Sequence, residues 1–96
     1  MIMNEVLLTN EANKSLEKLK KSNPKQHLKI IEFLCILENT ENPKALPNAK
    51  ILKGFENKYR WRLGDYRIIG NIEKNEFYIV EIVKIDKRDD KTYKNL

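Results

Sequence analysis

The chain holds 96 residues, with 19 Lys and Arg against 14 Asp and Glu, a formal net charge of +5, and 41% hydrophobic residues. That length suits a single domain, 1–96, and the apolar share sustains one core but no bilayer span, which takes roughly 18 continuous apolar residues. The start, Met1 to Glu5, lacks the basic and then apolar pattern of a secretory signal, and the single Cys35 has no internal disulfide partner. A cytoplasmic protein with Cys35 as a small buried hydrophobe is expected, with no membrane association.

The charge is unevenly spread. Residues 1–49 carry seven basic and six acidic side chains, residues 50–96 twelve and eight, so +4 of the +5 lies in the second half. Such an imbalance suits a polyanionic partner, because each neutralised phosphate releases counterions.

In chain order, residues 4–8 read as a short opening strand. Thr9 or Asn10 then caps a helix through residue 21, whose Ala12, Leu16 and Leu19 share one face. Ser22-Asn23-Pro24 interrupts and restarts the helical pattern, with Asn23 as the cap and Pro24 at the first helical position. The second helix runs to about Glu38, its stripe formed by Leu28, Ile31, Leu34 and Cys35 and widened by Ile30, Phe33 and Leu37. Two helices so closely joined predict an antiparallel hairpin. Residues 43–57, with Pro43, Pro47 and Gly54, read as a crossing loop.

From there the hydrophobic period becomes two. Tyr59–Leu63, Tyr66–Ile72 and Phe77–Ile85 read as three strands, joined by two-residue turns at Gly64-Asp65 and Lys74-Asn75. The expected architecture is α+β: strand, helix, helix, then a three-stranded antiparallel meander with the helical hairpin packed on one sheet face.

Opposed residues share a face, so the two turns assign every side chain. Tyr59, Trp61, Leu63, Tyr66, Ile68, Gly70, Ile72, Phe77, Ile79, Val83 and Ile85 should meet the helices. Glu81 falls among them as a misfit. The other face collects Arg60, Arg62, Arg67, Asn71, Tyr78 and Lys84, with Ile69, Val80 and Ile82 between them. Arg62 stands opposite Arg67, a repulsive placement that an anion lying between them would relieve. Extending the last strand adds Arg88 to that side and brings Lys87 and Tyr93 near. Guanidinium groups match phosphate oxygens bidentately, and a tyrosine ring can stack on a base. A solvated sheet face is the plainer reading of each arginine taken singly.

Leu52-Lys53-Gly54, the run Tyr59-Arg60-Trp61-Arg62-Leu63-Gly64-Asp65-Tyr66-Arg67-Ile68-Ile69, and Val83-Lys84-Ile85-Asp86-Lys87-Arg88 with Tyr93 together resemble the RelE family of the RelE/ParE toxins. The resemblance spans nearly the whole chain and is most specific from Leu63 to Ile69. It implies the RelE-like, microbial-ribonuclease type of fold and the toxin of a type II toxin–antitoxin system. Such a toxin is an mRNA interferase, a metal-independent endoribonuclease that needs no cofactor, enters the ribosomal A site and cuts mRNA by 2′-hydroxyl attack, inhibiting translation. Its implied partners are a cognate antitoxin, the ribosome with its mRNA, and operator DNA reached only through the antitoxin complex.

Carried over by position, Arg62, Arg67, Arg88 and Tyr93 take the catalytic roles. Arg67 stabilises the phosphate, Arg88 contacts the leaving group or the phosphate, and Tyr93 orients the mRNA base. Lys53, Arg60, Lys84 and Lys87 bind the nucleic acid. Arginine at 60 and 62, where some relatives have lysine, is a poor general base because guanidinium stays protonated. Proton removal then falls to Lys84, Lys87 or the ribosomal RNA. Lone His27 on the second helix reads as a surface or capping residue. A ParE-like toxin that binds DNA gyrase, and a silent nucleic-acid- or protein-binding module, are the competing readings.

Overall fold

The computed structural model describes residues 3–54 and 56–87. It is an α+β fold with β1 (Glu5–Leu8), α1 (Asn10–Ser22), α2 (Pro24–Asn39), a 3-10 turn (Pro43–Ala45), β2 (Ala49–Ile51), β3 (Lys58–Leu63), β4 (Tyr66–Lys74) and β5 (Tyr78–Lys87). The strands form one sheet in the order β1-β5-β4-β3-β2. The stretch expected to be a loop, 43–57, thus contains a fifth strand: three residues suffice because Ala49, Lys50 and Ile51 pair with Trp61, Arg60 and Tyr59. The opening strand joins the sheet as the parallel neighbour of β5, with Val6 opposite Val80.

Both helix starts form as the sequence implies. Thr9 accepts a hydrogen bond from the Ala12 N–H, and Asn23 accepts one from the Gln26 N–H with Pro24 at the first position. The far end of α2 is closed by β1: buried Asn4 donates from its side-chain amide to the carbonyls of Leu37, at 2.8 Å, and Thr40, at 2.7 Å. The bond to Leu37 satisfies a last-turn carbonyl that a helix leaves open, and the bond to Thr40 holds the capping residue beside it.

Ala12, Leu16 and Leu19 of α1 are buried as expected. On α2 the buried face is Ile30, Phe33, Leu34 and Leu37 instead, while Leu28 is 58% exposed and Cys35 is exposed. The helix is apolar nearly all round, so its sequence alone does not fix which face turns inward. Trp61 helps to fix it: fully buried, it meets Phe33 with ring centroids 6.4 Å apart and donates its indole N–H to the Pro43 carbonyl.

The first hairpin is as read, with Arg62 opposite Arg67 and Trp61 opposite Ile68 across the Gly64-Asp65 turn. Gly64 there has φ +60°, a conformation that costs a residue with a Cβ. The second hairpin differs. Lys74 pairs with Tyr78, so the loop has three residues, Asn75 to Phe77, and Gly70 faces Ile82. This odd shift turns Val80 and Ile82 into the core, puts Tyr78 on the helix side, and moves Ile79 and Glu81 to the open face. The glutamate misfit is thereby resolved, and Phe77 is left exposed at 41%.

A bulge then restores the original parity. Between Ile69 and Gly70 the pairing slips, and Val83 is the extra residue of β5. Beyond it Ile85 faces inward and Lys84 outward, as the sequence reading has them. Gly70 is what permits the approach: a Cβ built there would lie 2.8 Å from the Glu81 carbonyl oxygen and 3.2 Å from Trp61.

Two outcomes check this packing. Gly70→Ala should destabilise the fold by about 1–3 kcal/mol in urea denaturation, as overpacking against backbone does. Cys35 in the native protein should react with a thiol reagent as fast as a small exposed thiol, without denaturant; protection would mean that α2 turns the other way.

Candidate nucleic-acid interface

The helices cover one sheet face and leave the other open. Two successive rungs of that open face carry the charge: Lys50, Arg60, Ile69 and Lys84, then Arg62, Arg67 and Asp86, reading from β2 or β3 across to β5. Lys50, Lys53, Arg60, Arg62 and Arg67, with Ile51 and Leu52, line a cleft of about 290 Å³. A wider depression adjoins it, lined by Pro47, Asn48, Ala49 and Gly64 together with Lys50, Arg60 and Arg62.

Arg62 is held by its backbone from the β2 side. Its N–H donates to the Asn48 carbonyl at 3.2 Å, and its carbonyl accepts from the Asn48 side-chain amide at 2.9 Å. Both its main-chain groups therefore point away from β4, and Arg62 and Arg67 form a non-hydrogen-bonded pair. In antiparallel sheets such pairs bring their side chains closest. Two guanidinium groups so placed concentrate positive potential at one spot.

Arg67 has a carboxylate on its other side. Asp86 lies directly opposite it on β5 and meets it twice, Nε to Oδ1 at 3.4 Å and Nη2 to Oδ2 at 3.4 Å. Lys84 Nζ stands 3.7 Å from the same carboxylate. The cluster is half-exposed, with 29% of the Arg67 side chain, 29% of Asp86 and 51% of Lys84 accessible.

Of the residues singled out from the sequence, Lys53, Arg60, Arg62 and Arg67 thus meet in one cleft, with Lys84 beside them on the same face. Lys87 is separated: opposite Tyr66, it takes the helix-side parity at the end of β5. Arg88 and Tyr93 lie outside the described residues. His27 is on α2, which packs against the covered face. Three participants escaped the sequence reading. Lys50 and Asn48 sit in or beside a strand read as loop, and they carried no periodic signal. Asp86 was within reach, since it stands two residues beyond Lys84 and shares its face.

The open face is polar along its length. Away from the arginines its rungs carry Lys58, Asn71 and Glu81, then Glu73 and Ile79, with a second hollow of about 330 Å³ lined by Leu7, Asn57, Asn71, Glu73, Ile79 and Glu81. An extended polyanion is therefore drawn to the end nearest the Gly64 turn and repelled from the other. Among the described residues no three His, Cys, Asp or Glu are grouped to hold a metal. No described helix is long and apolar enough to cross a membrane.

The arrangement can be set beside known proteins. No curated protein matches the chain. The family model of the ParE toxin of the type II toxin–antitoxin system parDE matches residues 6–92. Among solved structures, the YoeB/ParE toxin from Agrobacterium tumefaciens is similar with a TM-score of 0.73 at 15% identity, over 88% of this chain and 99% of that one. The YoeB dimer from Staphylococcus aureus gives 0.71 at 15% identity, over 91% and 99%. The toxin–antitoxin complex RelBE2 from Mycobacterium tuberculosis gives 0.66 at 26% identity, over 88% and 96%. With the family model matching residues 6–92, the chain belongs to the ParE toxin family of type II toxin–antitoxin systems.

Proposed function

We propose that this chain is the toxin of a type II pair that acts in the cytoplasm as a ribosome-dependent endoribonuclease, cutting mRNA in the A site. The observation that carries this reading is the cleft in which Lys50, Lys53, Arg60, Arg62 and Arg67 converge on one open sheet face. Two arginines opposed in the closest type of strand pair offer one phosphodiester two guanidinium forks at once, a match to its oxygens that supports the reading.

In the reaction, the ribose 2′-oxygen bonds to the adjacent phosphorus and the bond from phosphorus to the 5′-oxygen breaks. The products are a 2′,3′-cyclic phosphate and a 5′-hydroxyl. Arg62 and Arg67 stabilise the charge that builds on the phosphorane, while Lys50, Lys53 and Arg60 seat the neighbouring backbone. Guanidinium stays protonated, and Lys84 Nζ stands against the Asp86 carboxylate, so the 2′-hydroxyl proton passes to a group of the ribosome. Lys87, on the other side of β5, contacts the surrounding RNA. Arg88 stabilises the leaving 5′-oxygen, which takes its proton from water or a ribosomal group, and Tyr93 stacks on the base. A cognate antitoxin blocks this surface, and operator DNA is reached only through that complex. The similar toxin–antitoxin complex RelBE2 supports the partnership.

A second reading is binding of DNA gyrase without cleavage, favoured by the description of the matching family model as ParE. Inducible expression in a bacterial host, with primer extension on a reporter mRNA, separates the two. In-frame cuts at A-site codons should appear with wild type and fall by about 10²–10³-fold in Arg67→Ala, the usual cost of removing one transition-state donor. Arg62→Ala and Arg88→Ala should weaken them too. Growth arrest without cuts, accompanied by lost gyrase supercoiling in the extract, would assign the chain to gyrase.

A further inference from the structure

Asp86 is the one acidic side chain on the two cationic rungs, and it faces the arginine that the proposed chemistry needs most. It touches Arg67 at two points and Lys84 at a third. Every one of these contacts, at 3.4, 3.4 and 3.7 Å, is longer than the roughly 2.7–2.9 Å of a tight charge-assisted bond. Asp86 Oδ1 is shielded from solvent and has no aligned hydrogen-bond donor. The carboxylate is thus close enough to fix where the Arg67 fork points, and too loosely bonded to hold it against a better acceptor. Half-exposed ion pairs of this kind shift an equilibrium by a factor of about five or less.

We propose that Asp86 is an exchangeable counter-ion of the cleft, a positioning residue whose carboxylate holds Arg67 and Lys84 until a phosphate group takes its place. The proposal rests on the reading of the cleft as a phosphate-binding surface. In the empty protein Asp86 offsets the repulsion between Arg62 and Arg67 by drawing Arg67 toward β5. An arriving phosphodiester offers Arg67 two oxygens at once and contacts Arg62 with the same group, which a carboxylate on the far strand does not do. Asp86 then becomes a charge the ligand must overcome. It also sets a preference, because an anion that meets only one arginine gains too little to displace it. Removing the charge should therefore tighten anion binding.

The full chain, as wild type, Asp86→Asn, Arg67→Ala and the double variant, is titrated with inorganic pyrophosphate while the arginine Nε–H resonances are followed. The same four proteins are then titrated with a labelled single-stranded 12-nucleotide RNA at several salt concentrations. Asp86→Asn keeps the shape of the side chain and should bind pyrophosphate roughly two- to fivefold more tightly than wild type. Its RNA affinity should fall more steeply with salt, by about 0.7 in the log–log slope for one freed cation. Both gains should vanish in the Arg67→Ala background.

Equal or weaker pyrophosphate binding by Asp86→Asn overturns the proposal, as does the absence of any pyrophosphate binding. RNA bound through Arg67 with no change in Asp86→Asn sinks the counter-ion alone. Tighter pyrophosphate binding by Asp86→Asn with no RNA bound by any form leaves the counter-ion standing and removes the RNA reading.

Discussion

Val83 is an extra residue in β5, and the two sides of the protein both depend on it. Strand alternation would send residues 80, 82, 84 and 86 to one face. Val80 and Ile82 are fully buried, so an unbroken strand would press Lys84 and Asp86 into the same core and turn Ile85 out to water. Burying two charged side chains there would cost far more than a local kink. The bulge between Ile69 and Gly70 absorbs the conflict, and Gly70 supplies the room by having no Cβ to meet the Glu81 carbonyl. One strand thereby serves the core with its first half and the cationic face with its last.

The core constrains the helices in a less local way. Phe33 and Trp61 meet across the interface between α2 and the sheet, and Asn4 ties the end of that helix to β1. With those points fixed, Ile30, Leu34 and Leu37 point inward, and Leu28, Cys35 and Ile36 remain outside. Apolar residues on the outer side of α2 therefore reflect the choice of one inward face among several that its sequence allows.

The open face derives its character from how edge and centre share the work. Lys50 on the edge strand, Arg60 and Arg62 on β3, and Arg67 on β4 stand on adjacent rungs, so their fields add over a small area. Asn48 holds Arg62 through its backbone, so the guanidinium takes no part in fixing the strand. Asp86 moderates the site from β5, and Glu73 and Glu81 give the far end of the same face the opposite sign. The face is thus cationic at the end nearest the Gly64 turn and mixed, with a net negative balance, at the other.

Much of this was written in the sequence where the signal is local. Thr9 and Asn23 marked the helix starts, because a capping oxygen acts within three residues. Gly64 marked the first turn, and once that turn was set, alternation alone placed Arg60, Arg62 and Arg67 on one face. The residues that resemble the RelE family pointed the same way. What the sequence left open were choices made by distant partners. Residues 49–51 became a strand because β3 offered an edge. The second hairpin took a three-residue loop and a bulge because only that register buries Val80, Ile82 and Ile85 together. The inward face of α2 was chosen by Trp61, some thirty residues away. Local chemistry determined where the elements begin and turn; tertiary packing decided their register, since burial is a property of two surfaces and a strand carries only one of them.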